Sequence, residues 1–124
     1  MLRAAIVLLC LCISSAAHAA KRVALVIGNS AYQHAGELPN TRNDALDMAA
    51  ALRVHGFEVL DGIDLNKTAL ERKIRDLAAA LVGSDVGVFF YAGHGLQISG
   101  TNYLVPIDAQ LRNGVGARFR DGTT

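Results

Sequence analysis

"VFFYAGHG", residues 88–95, is the stretch on which the reading of this chain turns. A run of Val and Phe stops at a histidine held between two glycines. Continuous apolar runs of this kind suit a strand buried on both faces of a parallel sheet. In such sheets ligands bind beyond the carboxyl ends of the strands, which is where His94 falls. An imidazole there can act as general base or acid near neutral pH. Gly93 would allow an unusual backbone turn, and Gly95 would let a substrate backbone approach an exposed N–H able to donate to a developing oxyanion. The same pattern fits a histidine that only hydrogen-bonds a loop carbonyl at a strand-to-turn junction, and the residues alone leave both readings open.

Working outward, "KRVALVIGN" (21–29) is a second continuous apolar run, closed by Gly28-Asn29, and reads as the first strand. "SAYQHAGELPN" (30–40) holds Gly, Pro, Asn and Ser and reads as a loop. Ala45, Met48, Ala49 and Leu52 recur at helical spacing, with Asn40 or Thr41 as cap and Gly56 as the stop. "FEVL" (57–60) is a short second strand, and "DGIDLN" (61–66) a turn and cap. A second helix spans about Lys67 to Leu81, starting from Asn66 or from Thr68, whose spacing to Glu71 is that of a capping box; Gly83 ends it. Leu96 to Ile98 and Tyr103 to Val105 flank "SGTN" as a small hairpin. After Pro106 the apolar density drops.

Strands alternating with helices imply right-handed βαβ crossovers and a parallel sheet covered by helices. The expected fold class is therefore α/β, a three-layer α/β/α sandwich. The third strand, 86–91, is the most apolar and is expected to be central. No strand follows it on one side, so the sheet reads as incomplete at its C-terminal side and the chain as the front part of a larger domain.

Composition narrows the function. Residues 1–19 carry Arg3, an apolar run too short to cross a bilayer and an Ala17-His18-Ala19 ending, the pattern of a bacterial secretory signal peptide cut after Ala19. The domain would then be 20–124, secreted or periplasmic, with 11 basic against 11 acidic residues once Arg3 is gone. No basic stripe points to nucleic acid or to a membrane surface beyond export. Both cysteines, Cys10 and Cys12, lie in the leader, so the mature chain has neither a disulfide framework nor a thiolate of its own. No metal site is expected, because His34, His55 and His94 lack a ligand partner at helical spacing; His55 reads as a cation at a helix C-terminus. Neither "ALVIGNS" (24–30) nor "FYAGHGLQISG" (90–100) has the spacing of a phosphate loop.

Four segments taken together, "RVALVIGNSAY" (22–32), "LPNTRNDALDMAAALRVHGFEV" (38–59), "FFYAGHG" (89–95) and "NYLVPIDA" (102–109), resemble the N-terminal, p20-like part of bacterial caspase-like peptidases. These are C14, clan-CD cysteine peptidases related to metacaspases and orthocaspases. The resemblance implies that His94 is the histidine of a Cys-His dyad, that the Gly95 N–H helps form the oxyanion hole, and that Asp44 lines a pocket for Arg or Lys. From the residues alone Asp44 is also an ordinary first-turn helix acid. Arg42 does not match the pocket arginine of animal caspases, and Ala92 stands where some metacaspases carry a pocket serine. The family's nucleophile lies on the next strand, and none occurs in the 30 residues after His94; Gln110 in "IDAQL" cannot attack a carbonyl. The resemblance therefore implies a cysteine endopeptidase acting on peptide or protein substrates, with its cysteine missing from a truncated chain that is inactive by itself. No cofactor is expected, with calcium possible by resemblance only. The alternative is a non-catalytic caspase-fold interaction module of the cell envelope; a flavodoxin-like regulatory domain fits worse, because the first strand ends in Gly28-Asn29.

Overall fold

A computed structural model of the chain describes residues 18–110. The elements in order are β1 (Arg22–Gly28), α1 (Thr41–Val54), β2 (Glu58–Ile63), α2 (Lys67–Leu81), β3 (Val86–Ala92), β4 (Gly95–Ile98) and β5 (Thr101–Leu104). The leader, apart from its last two residues, and the tail beyond Gln110 lie outside the described residues.

The first three strands form a parallel sheet in the order β2-β1-β3. Side chains alternate across β1. Leu25 and Ile27 meet Leu70 and Leu77 of α2 on one face, while Val26 meets Ala45 and Ala49 of α1 on the other. The two helices therefore cover opposite faces, which gives the three layers expected. Two crossovers of the same hand that run in opposite directions require this arrangement.

The central strand is β1, not β3 as its apolar content led one to expect. Val23 to Ile27 are fully buried, whereas Val86 and Phe89 of β3 are 40% and 46% exposed at the edge of the described sheet. Apolar content reports which faces are covered. It does not report how many strands pair alongside, which the crossovers decide.

A second difference lies in 61–66. β2 continues through Asp61, Gly62 and Ile63, which pair with Val26, Ile27 and Gly28. The turn shrinks to the residues around Asp64, whose φ is 54°. Asp61 is tolerated because β2 is an edge strand and its carboxylate meets Arg53 at 2.7 Å. At the start of α1 neither Asn40 nor Thr41 caps by side chain. Asn40 occupies the cap position without such a bond, and the Thr41 hydroxyl instead reaches the Asn29 and Leu38 carbonyls. α2 is capped by Asn66, whose side chain accepts from the Ala69 N–H at 2.9 Å, so the start at Thr68 is not used. Gly56 and Gly83 follow the helix ends with positive φ, as expected.

β4 and β5 form a separate antiparallel hairpin. Its turn is only Ser99-Gly100, both at positive φ, so Thr101 and Asn102 of "SGTN" belong to β5. Beyond it, residues 105–109 strap the carboxyl end of the sheet. Ile107 N–H donates to the Leu65 carbonyl, Gln33 N–H donates to the Ile107 carbonyl, and Asp108 accepts from the first N–H of α2 at Lys67.

The first turn of α1 presses on the end of β1. A Cβ on Gly28 would lie 2.6 Å from the Ala45 Cβ and 2.8 Å from the Thr41 carbonyl. Gly28→Ala should cost roughly 1–3 kcal/mol in urea unfolding. Gly36→Ala, where a Cβ meets nothing within 4 Å, should stay within about 0.5 kcal/mol.

Candidate active site

Because β3 lies beside β1, the loop leaving β1 and the residues leaving β3 face each other. The last pair of their ladder is Gly28 with Ala92, and the Asn29 N–H continues it by donating to the Ala92 carbonyl at 2.8 Å. The chain leaves β1 toward β2 on one side while β3 stands on the other. The crevice between these two loops is thus the topological switch point of the sheet, where open α/β folds bind ligands.

His94 lies in that crevice, half-buried. Its Nε2 is 2.7 Å from the Gly36 carbonyl, in the loop after β1. A carbonyl can only accept, so Nε2 carries the proton, and in the neutral ring Nδ1 keeps its lone pair. The Tyr32 ring lies against the imidazole, with centroids 4.5 Å apart and planes tilted by 57°. The peptide of His94 is held as well. Its N–H donates to the Tyr32 hydroxyl at 2.8 Å, and its carbonyl accepts from the Tyr91 hydroxyl at 2.7 Å and from the Val105 N–H at 3.1 Å.

Gly93 is needed for space and not for an unusual turn, since its φ is not among the positive values. A Cβ there would stand 2.5 Å from the Tyr91 hydroxyl and 2.7 Å from that of Tyr32. Gly95 differs. The only neighbour a Cβ would meet within 4 Å is the Tyr103 carbonyl, at 3.7 Å. Gly95 opens β4 opposite Leu104, next to the hydrogen-bonded pair His94 and Val105. Antiparallel ladders alternate bonded and non-bonded pairs, so the Gly95 N–H points away from β5. Gly95 also lines an open depression of about 440 Å³ with Tyr91, Gly93, Leu96, Gln97 and Tyr103.

Asp44 stands exposed in the first turn of α1, one residue before the Ala45 that abuts Gly28. It is thus at the same carboxyl end of the sheet, but it makes no hydrogen bond or ion pair with His94 or Gly95. Arg42 reaches across to Asp64 at 3.9 Å. His55 caps the end of α1, and its carbonyl accepts from the Arg22 guanidinium at 2.9 Å. Among the described residues no group of three His, Cys, Asp or Glu is placed to hold a metal ion, and no helix is long and apolar enough to cross a membrane.

Five residues of the site escaped sequence reasoning: Asn29, Tyr32, Gly36, Asp64 and Tyr91. Asn29 is fully buried; its amide accepts from the Leu65 N–H and donates to the Val105 carbonyl. Asp64 accepts from the N–H groups of Ser30 and Ala31 and so ties down the loop that carries Tyr32 and Gly36. Asn29 and the two tyrosines sit inside segments already quoted. Nothing in periodicity separates a tyrosine that fills a core from one that anchors a peptide.

A family model described as the caspase domain of peptidase C14 matches residues 21–121. The human mucosa-associated lymphoid tissue lymphoma translocation protein 1 is 31% identical over 88 residues, which are 71% of this chain and 11% of that protein. Its mouse homolog matches over the same length at the same identity. The chain thus spans about a tenth of the length of these curated relatives.

Burial, and then the neighbouring Tyr32 hydroxyl, push the Tyr91 phenol well above its ordinary value. The fold therefore holds the Tyr91 proton more tightly than the unfolded chain does. That contribution is complete below a pH of about 10 and is lost as pH rises further. Thermal midpoints measured from about pH 9 to pH 11 should fall, and Tyr91→Phe should make the fall shallower.

Proposed function

This chain belongs to the caspase-domain family of C14 peptidases, and on that premise we propose that it forms the histidine half of a cysteine endopeptidase site. Membership in a peptidase family implies a protein or peptide substrate. The observation that carries the proposal is the pairing of an imidazole whose Nε2 is taken up by the Gly36 carbonyl with a Gly95 N–H turned out of its ladder.

Nδ1 is then the atom left to receive a thiol proton. The thiolate attacks the scissile carbonyl carbon, and the oxyanion that forms takes a hydrogen bond from the Gly95 N–H. The C–N bond breaks as the imidazolium returns the proton to the departing amine, leaving a thioester. Water, giving a proton to the same ring, hydrolyses the thioester and restores the thiol. The 124 residues hold cysteine only at positions 10 and 12. The nucleophile is therefore proposed to lie on a further strand that pairs with the open edge of β3. Asp44, at the same end of the sheet, is proposed to pair with Arg or Lys at the residue before the cleaved bond; its exposure leaves it free to do so. Export to the periplasm or beyond, after removal of residues 1–19, completes the proposal.

One observation favours the second reading, a non-catalytic module. The Gly36 bond is also what a purely structural histidine would make. The coding sequence past Thr124 separates the two. A following strand with cysteine supports the enzyme, and one with Ser, Gly or Ala in that place supports the module.

The full-length gene product should cleave peptides ending in Arg or Lys. His94→Ala should lower kcat by roughly 10²–10⁴-fold. Asp44→Asn should lower kcat/KM for these substrates tenfold or more, about 1.4 kcal/mol. Residues 20–124 alone should show no turnover above background. Unchanged activity in His94→Ala would exclude the proposal.

A further inference from the structure

Both main-chain polar atoms of His94 are held by phenols from two different elements. Tyr32 comes from the loop after β1 and accepts the His94 N–H at 2.8 Å. Tyr91 lies in β3 and donates to the His94 carbonyl at 2.7 Å. The hydroxyls are 3.2 Å apart, and both also reach the Val105 carbonyl at 3.0 Å. A hydroxyl has one proton to give. If Tyr91 spends its proton on His94, the shorter of its two carbonyl contacts, and Tyr32 spends its own on Val105, every partner except the other phenol is satisfied.

Tyr32 does more than hold the main chain. Its ring lies against the imidazole, and the same loop supplies the Gly36 carbonyl that takes Nε2. One short segment thus fixes the backbone of His94, one face of its ring and the tautomer. That segment is itself fixed: Asp64 holds the N–H groups of Ser30 and Ala31, Leu38 N–H donates to the Ser30 carbonyl, and Gln33 N–H donates to the Ile107 carbonyl. Core filling alone needs no hydroxyl, because phenylalanine would occupy the same space. The hydroxyls also have a cost in sequence freedom, since they exclude any side chain at position 93.

We propose that Tyr32 is a positioning residue that sets the orientation of the His94 ring for proton transfer, with Tyr91 as its counterpart on the carbonyl of the same residue. The kinetic consequence rests on the peptidase reading above; the geometric one does not. Phenylalanine at position 32 keeps the ring contact and the volume but leaves the His94 N–H without its acceptor. The amide end of His94 is then unanchored while its carbonyl stays held by Tyr91 and Val105, and the ring samples several orientations. Displacements of about 1 Å in a catalytic group cost as much as 10²-fold in rate.

The test uses the full-length gene product with Tyr32→Phe and, separately, Tyr91→Phe. For Tyr32→Phe, kcat should fall roughly 10- to 100-fold while KM stays within about twofold, and the thermal midpoint should fall by roughly 4–12 °C, the cost of one unpaired N–H, with the fold retained. The backbone amide resonances of His94 and Gly95 should broaden or double, while those of Leu25 and Ile27 stay sharp. Tyr91→Phe should give the same pattern in weaker form, because the His94 carbonyl keeps the Val105 N–H. Unchanged kcat with unchanged His94 and Gly95 resonances would overturn the proposal, as would a loss of kcat matched by loss of the whole fold in both variants. If the unmodified protein hydrolyses nothing, the peptidase reading fails, and the resonances alone decide whether Tyr32 positions His94.

Discussion

Parallel pairing of β1 with β3, ending at Gly28 and Ala92, is the constraint on which the site depends. It brings the loop after β1 against the residues after β3. Without that adjacency Gly36 could not reach the His94 ring, and Tyr32 could not reach its peptide. The adjacency follows from β1 being central, which the two crossovers decide by placing β2 on one side of it and β3 on the other. The side chains of "RVALVIG" fit that place, because helices cover both of its faces.

The histidine sits between two glycines for two unrelated reasons. At position 93 the protein itself fills the space, with two phenolic oxygens where a Cβ would stand. At position 95 the space is open, and the amide turns out of the hairpin ladder. Position 93 is filled by the protein itself, and position 95 is open. Each hydrogen bond in the cluster contributes only about 1 kcal/mol net, but a buried polar group left without a partner costs about 1–3 kcal/mol. The arrangement among Asn29, Tyr32, Tyr91, His94 and Val105 is accordingly hard to change one member at a time. No buried side-chain polar atom among the described residues lacks a partner.

Much of this was legible in the sequence. The α/β class, the two helices and the hairpin follow from periodicity and from the glycines at 56, 83 and 100. The placement of His94 at a strand end follows from the apolar run before it. Strand order was not legible: β3 is richer in aromatic residues than β1 and still lies at the edge of the described sheet, because composition records covered faces and is silent on lateral neighbours. Nor was the extent of β2, since Asp61-Gly62 looks like a turn until Arg53 is seen beside the carboxylate. The tyrosine contacts join residues about 60 positions apart, which no local pattern encodes.

The loop carbonyl of Gly36 commits Nε2 of His94 as the protonated nitrogen and leaves Nδ1 of the neutral ring with its lone pair. Nitrogen-15 NMR of the histidine rings reads the tautomer directly. The expected result is a neutral His94 ring protonated at Nε2, with an unprotonated Nδ1. A proton found on Nδ1 in the neutral ring would contradict it.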